Sequence, residues 1–163
     1  PLRVMISVQS GRQYMMAYAP YFKRITAYRL DNIVTVRNGE TADRFDELRD
    51  KLNEMQRYMW GVATDSRSGN RMEHIEFTVQ YDDGEDHIPR RLEREKRIGH
   101  VEYIDEHTCH FSADVYDASE LIPWIRTFIC RITDISISNK TLEIQFKKDL
   151  QVMYEMYGLK GEE

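Results

Sequence analysis

Cationic and aromatic side chains are concentrated near the start of the chain, between residues 11 and 33. Two runs there, 13–18 and 25–30, are rich in aromatic, β-branched and long apolar residues, which is typical of strands. The segment between them, 19–24, contains a proline, two aromatic residues, Lys23 and Arg24. Such a hairpin places core contacts on one face and cationic, polar side chains on the other. It therefore predicts a surface that suits an anionic ligand.

A second group of arginines follows at 90–97, where Arg90, Arg94 and Arg97 are spaced by four and three residues. On one helix over 89–97 these three side chains would share a face and could follow a phosphate backbone. Two other interpretations remain open: an interface, or ion pairs with the acidic turn at 82–86.

Both basic segments belong to an acidic protein of 163 residues with a net charge of −5. Residues 1–38 contain six arginine or lysine residues and one aspartate, and residues 87–97 contain five basic residues and two glutamates. Basic segments inside an acidic chain indicate an anionic partner better than the overall charge does.

Catalytic and metal-binding patterns are weak by comparison. The segment 106–110 contains His107, Cys109 and His110, but on a strand His110 points away from the other two. The acidic turn at 82–86 does not match a calcium-binding loop, and the sequence contains neither a glycine-rich phosphate loop nor a nucleophile elbow. We therefore expect no enzyme activity, no bound metal and no cofactor.

The hydrophobic periodicity changes along the chain. Residues 2–8 alternate like a strand, the hairpin follows, and 33–36 reads as a further strand. Apolar residues then recur every three or four positions over 43–59, which predicts a connecting helix. The polar, glycine-containing stretch 63–72 predicts a loop between two modules, 1–62 and 73–163.

In the second module, the strand-like alternation of apolar residues and the helix-like spacing of three or four positions both occur. They predict the element order β, α, β, β, α, β, α. Strands are predicted at 74–81, 98–104, 109–116 and 132–137, and helices at 89–97, 121–128 and from 142 to Gly158. This order predicts an α+β sandwich, with an antiparallel sheet on one side and helices on the other.

No run of about 18 apolar residues is present, and the first residues lack the pattern of a signal peptide. We expect no membrane partner and a cytoplasmic protein. Cys109 and Cys130 are far apart in the sequence, which favours reduced, buried thiols over a disulfide.

The sequence resembles the WYL domain of bacterial transcription regulators. The resemblance rests on Gly11–Met15, where the family has glycine followed by Trp-Tyr-Leu, and on Tyr28–Ile33, where it has an aromatic-Arg-Leu-Asp-Arg-Ile run. Three further segments are similar to the extension that commonly follows such domains: 91–95, 123–128 and 149–158. This chain departs from the family at Gln13, Met15 and Asn32, of which Asn32 replaces a second arginine.

The resemblance implies a partial Sm-like β-barrel over 1–62, without its first strands, followed by the α+β extension. It also implies a sensory module that binds single-stranded nucleic acid or a nucleotide-like ligand and controls an N-terminal helix-turn-helix DNA-binding domain outside this sequence. Family residues carried over to this chain are Tyr14 and Arg29, with Arg12 and Arg24 as flanking cations. Arginine matches phosphate bidentately, and tyrosine can stack on a base or donate a hydrogen bond.

The alternative function is an oligomerisation module without its own ligand. The apolar residues of the last helix, among them Met153, Met156 and Tyr157, could form a dimer face or belong to the core. Regulators that resemble this chain often act as homodimers, so the two functions can coexist.

Overall fold

The chain forms two antiparallel sheets, one of three strands and one of four, in a computed structural model that describes residues 1–40, 42–66 and 72–158. The N-terminal sheet has the order β1-β2-β3, with β1 at Arg3–Ile6, β2 at Gln13–Ala19 and β3 at Arg24–Arg29. The predicted hairpin and the α+β class are confirmed. The described strands of this sheet form an open layer, not a closed barrel.

One face of the N-terminal sheet packs on the connecting helix. Helix α1 spans Phe45–Met55 and is followed by a 3-10 turn, so it ends earlier than the apolar period predicted. Met16 and Ile25 from the sheet form a small core with Leu52 and Met59.

The other face of this sheet is covered only in part by the described residues. Val4 and Ile6 of β1 are 56 and 60% exposed, whereas Ala17 and Ala19 of β2 are buried. The predicted strand at 33–36 is wrong: this segment lies after a 3-10 turn without a strand partner in the described part, and Val34 is 96% exposed. Its β-branched composition favours a strand, but a strand forms only where a second one pairs with it.

The second sheet has the order β5-β6-β4-β7, all antiparallel. Its strands are β4 (Glu73–Gln80), β5 (His100–Asp105), β6 (Thr108–Val115) and β7 (Ile132–Ile137). The accompanying helices are α2 (His87–Glu95), α3 (Ile122–Ile125) and α4 (Lys140–Met156). The predicted order β, α, β, β, α, β, α is confirmed.

The larger core lies between this sheet and its helices. Phe77 and Phe111 point inward from neighbouring strands, and Leu92, Ile125 and Phe146 meet them from α2, α3 and α4. All three helices therefore cover one face of the sheet. The alternate residues of the strands form a polar outer face.

Three further expectations need correction or fall outside the described residues. Helix α2 ends at Glu95, because Lys96 takes an extended conformation as the chain turns into β5, so Arg97 does not lie on the helix. Cys109 is buried as expected, but Cys130 is exposed, and both are free thiols. The predicted loop at 63–72 lies partly outside the described residues.

Among the helices of the described part, none has the length and apolar character of a membrane span.

A candidate ligand-binding cleft

The N-terminal sheet contacts two segments from later in the chain, the linker 61–65 and the 3-10 helix Ala118–Glu120. We call this region of contact the seam, and a polar cleft lies there. Its volume is about 500 Å³, which is within the range of small-ligand sites. The turn between β1 and β2 forms one wall, including Ser7, Ser10 and Arg12, and Tyr14 extends this wall along β2. The opposite wall is the linker with the 3-10 helix.

The structure brings three of the predicted residues together at this cleft. Arg12 and Tyr14 line it, and Arg29 lies directly opposite Tyr14 in the β2–β3 register. Opposite residues of an antiparallel pair project to the same face, so the phenol and the guanidinium are neighbours. The Arg12 guanidinium makes no ion pair with the described residues, which leaves its donors available.

Arg29 forms a bidentate ion pair with Asp31, through Nε to Oδ1 at 3.0 Å and through a shorter contact from Nη2 to Oδ2. The hydrogen bonds that Arg29 donates to Asp31 raise the pKa of Arg29, and the Tyr14 hydroxyl adds to this increase. The same hydrogen bond lowers the pKa of Asp31, with smaller contributions from the charges of Arg29 and Arg12. Arg12, Tyr14, Arg29 and Asp31 therefore form one electrostatic group.

Glu120, at the end of the 3-10 helix Ala118–Glu120, closes the cleft on the wall opposite the N-terminal sheet. Its carboxylate accepts hydrogen bonds from three consecutive backbone amides, those of Gly61 (2.9 Å), Val62 (3.0 Å) and Ala63 (3.2 Å). Its backbone carbonyl accepts a hydrogen bond from the Gln9 side chain. Glu120 thus ties the linker, the β1–β2 turn and the 3-10 helix together, and we call these contacts the Glu120 clamp.

The carboxylates of the cleft are engaged within the protein. Asp117 is 4% exposed and caps its 3-10 helix by accepting from the Ser119 amide at 2.9 Å. Asp65 forms an ion pair with Arg24. Together with the Glu120 clamp, these contacts leave Arg12 and the hydroxyl groups as the polar side chains with free bonding capacity.

Sequence patterns could not identify most of these residues. The run 117–120 predicts a capped helix start, which the structure confirms for Asp117, but nothing local shows that the Glu120 carboxylate reaches an amide 59 residues away. One signal was present at Gly61. A Cβ atom there would lie 2.5 Å from Oε1 of Glu120, so only glycine permits this approach.

The remaining predicted residues lie elsewhere. Arg24 is at the other end of the hairpin, opposite Ala19. Arg90 and Arg94 are exposed on α2, where they pair with Asp86 and Glu95 at 3.4 and 3.3 Å. Arg97 donates to the Trp60 carbonyl at 2.8 Å and its guanidinium lies over the Trp60 ring. The three arginines of the second basic segment therefore do not form one continuous stripe.

Histidines and carboxylates alternate on the polar outer face of the second sheet. His74 lies 2.9 Å from Asp114 and 3.5 Å from Glu76, and His110 lies 3.7 Å from Glu76. In the described ranges, no three histidine, cysteine, aspartate or glutamate side chains are placed to hold a metal ion. Cys109 lies on the inner face, 3.7 Å from the Tyr81 hydroxyl, and burial raises the pKa of this thiol.

His74→Gln should reduce stability in acid and leave it unchanged in base. Asp114 is the largest cause of the raised pKa of His74, and Glu76 adds to it. A raised folded-state pKa contributes stability below the unfolded value of about 6.5, and the contribution disappears as pH rises through the folded-state pKa. Because the ring is partly exposed, we expect a loss of about 0.5 kcal/mol. Urea denaturation at about pH 5.5 and 8.5 measures it. Asp114→Asn should give the same pattern, and an equal loss at both pH values would contradict it.

Neither a scan against models of protein families nor a search among curated proteins yields a match to this chain.

Proposed function

We propose that this chain is the ligand-sensing module of a bacterial transcription regulator, and that it binds single-stranded nucleic acid or a nucleotide-like anion at the seam. The observation that carries the proposal is the convergence of Arg12, Tyr14 and Arg29 beside a polar cleft of suitable size. Cations recognise the phosphate, and the aromatic ring offers a surface on which a base can stack.

The arrangement of charges suggests how such a ligand lies. A phosphate fits the edge formed by Arg12 and Arg29, where it competes with Asp31 for the Arg29 fork. The sugar and base then enter the cleft, where hydroxyl groups can accept from amino groups. The carboxylates disfavour a ligand with many phosphates inside the cleft, which favours one nucleotide unit at this position.

The location of the cleft supports a regulatory role. A ligand there contacts the N-terminal sheet and the Glu120 clamp at once, so its binding energy differs between arrangements of the two modules. We propose that this change is transmitted to a helix-turn-helix domain outside the sequence. Such a device needs no catalytic group, and the proposal includes none.

The resemblance to WYL domains adds a structural part to the proposal: the N-terminal sheet is part of an Sm-like barrel. Two features support it. Val4 and Ile6 expose apolar side chains on one face of the sheet, and the segment 33–36 has a strand sequence without a strand partner in the described part. Both are expected where additional strands complete a barrel.

The test is the salt dependence of binding. A short fluorescently labelled single-stranded oligodeoxynucleotide should bind the chain, with an affinity that falls roughly tenfold between 50 and 200 mM salt if two or three phosphates are neutralised. Fluorescence anisotropy measures it. Salt-independent binding, or no binding to this oligonucleotide or to a mononucleotide, would contradict the proposal.

A second function, homodimerisation, is favoured by the end of α4. Residues 151–158 are exposed on all sides, and Met156 and Tyr157 are 79 and 74% exposed. A helix end without a packed face is marginally stable in water. An apolar surface of this kind suits a second copy of the chain, with or without a ligand at the seam.

Met156→Glu should weaken such a dimer at least tenfold, because a two-fold contact places two added charges in one apolar interface. Sedimentation velocity over a range of concentrations measures the change. Gln80→Glu, which adds the same charge at an exposed position at the end of β4, is the matched control and should leave the dimer intact. A chain that is monomeric at its highest soluble concentration would exclude dimerisation as its role.

A further inference from the structure

A second pocket lies on the other side of the linker from the polar cleft, and the two share Thr64 and Asp65. Its volume is about 320 Å³. Ile25, Met55, Met72 and Tyr116 form its apolar lining. A pocket of this size and character accommodates one small ring system or a short branched chain.

Two cations stand at this apolar pocket, Arg24 from β3 and Lys51 from α1. Arg24 is engaged, because Asp65 pairs with its guanidinium. Lys51 forms no ion pair with any residue of the described ranges, and its side chain is exposed. The pocket therefore combines an apolar interior with one available ammonium group.

Tyr116 adds a hydrogen-bond donor. Burial is the main cause of the raised pKa of its phenol, and the neighbouring Tyr58 and Asp65 also contribute. The hydroxyl therefore remains protonated at neutral pH. A neutral phenol can donate to a carboxylate, which an ionised one cannot.

We propose that this pocket binds a small amphipathic monoanion, an aromatic or branched aliphatic carboxylic acid, with its carboxylate at Lys51 and its apolar part between Ile25, Met55 and Tyr116. Charge complementarity selects the anion, and the lining selects an apolar body. Asp65 disfavours a dianion such as a phosphate monoester, because a like charge lies at the same rim. This site goes beyond the proposed nucleic-acid site and does not depend on it.

The experiment uses 2-naphthoate and the full chain, with affinity measured by isothermal titration calorimetry. Lys51→Gln should lower the affinity about tenfold, as expected for the loss of a charge-assisted contact. Asp65→Asn should raise it several-fold, because this change removes the like charge and releases Arg24. The neutral analogue 2-naphthalenemethanol should bind the native chain and Lys51→Gln equally.

Lys148→Gln is the matched control. Lys148 is an exposed lysine beside the apolar groove along α4, which is another place where an amphipathic anion could bind. Its replacement should leave the affinity unchanged. Loss of binding with Lys148→Gln and not with Lys51→Gln would place the ligand in that groove and overturn the proposal, as would equal binding by all variants or no binding of 2-naphthoate. Because both lysines are exposed, neither change should disturb folding.

Discussion

Arg29→Ala should lower the affinity for the single-stranded oligonucleotide about 10- to 100-fold at low salt, the range expected for the loss of a bidentate, charge-assisted phosphate contact. The slope of log affinity against log salt should also become shallower by about 0.7, because one phosphate contact is removed. Arg29 is the strongest candidate because it lies beside Tyr14 and its guanidinium is oriented by the contact with Asp31. A preorganised fork loses less entropy when it binds.

Asp31→Asn should change the affinity for the oligonucleotide in the opposite direction. Asp31 competes with a phosphate for the same donors, so its neutralisation should raise the affinity several-fold, although it also removes one of the contacts that orient Arg29. Tighter binding with Asp31→Asn, together with weaker binding with Arg29→Ala, identifies the phosphate position. If Arg29 served only to pair with Asp31, neither variant would change the affinity for the oligonucleotide.

Arg90→Ala serves as control and also tests the second basic segment. Arg90 is an exposed arginine on α2 that pairs with Asp86 at 3.4 Å, so its removal should not disturb the fold. We expect unchanged binding. A loss with Arg90→Ala and none with Arg29→Ala would move the nucleic-acid site to α2 and contradict the assignment to the seam.

The fold was predictable where the local spacing of apolar residues alone determines whether a segment forms a strand or a helix. Ile75, Phe77 and Val79 alternate with polar residues, and β4 places them in the core as expected. The segment 33–36 has an equally strong strand composition and is not a strand, because pairing depends on a partner that no local pattern reveals. The helix predicted over 89–97 has the observed length but is displaced by two residues, because its end at Glu95 is set by the entry of the chain into β5.

The candidate site was predictable only in part. Arg12, Tyr14 and Arg29 are close in sequence and belong to one hairpin, so the hairpin alone brings them together. The opposite wall comes from residues more than 30 positions further along the chain, and the Glu120 clamp joins segments that share no sequence pattern. The division into modules 1–62 and 73–163 stays a prediction, although the two hydrophobic cores are consistent with it.

Glu73→Ala should lower the free energy of unfolding by about 2–4 kcal/mol, the cost of leaving several buried polar groups without their partner. Glu73 is 1% exposed at the start of β4. Its carboxylate accepts from the Ser66 hydroxyl at 2.7 Å, the Ala118 amide at 2.9 Å and the Asn139 side chain at 3.1 Å. It therefore joins Ser66, the residue after the linker, to the 3-10 helix at the seam and the N-cap of α4.

Urea denaturation of the full chain measures this loss, with Glu76→Ala as the control. Glu76 is on the same strand but on the polar outer face, 40% exposed, where its ion pairs with histidines contribute at most about 0.5 kcal/mol. Because Glu73 also positions the 3-10 helix that carries Asp117 and Glu120, Glu73→Ala should weaken oligonucleotide binding even where the protein remains folded. A loss of stability no larger than that of Glu76→Ala would show that the carboxylate is not required, and that the seam is held by its apolar contacts alone.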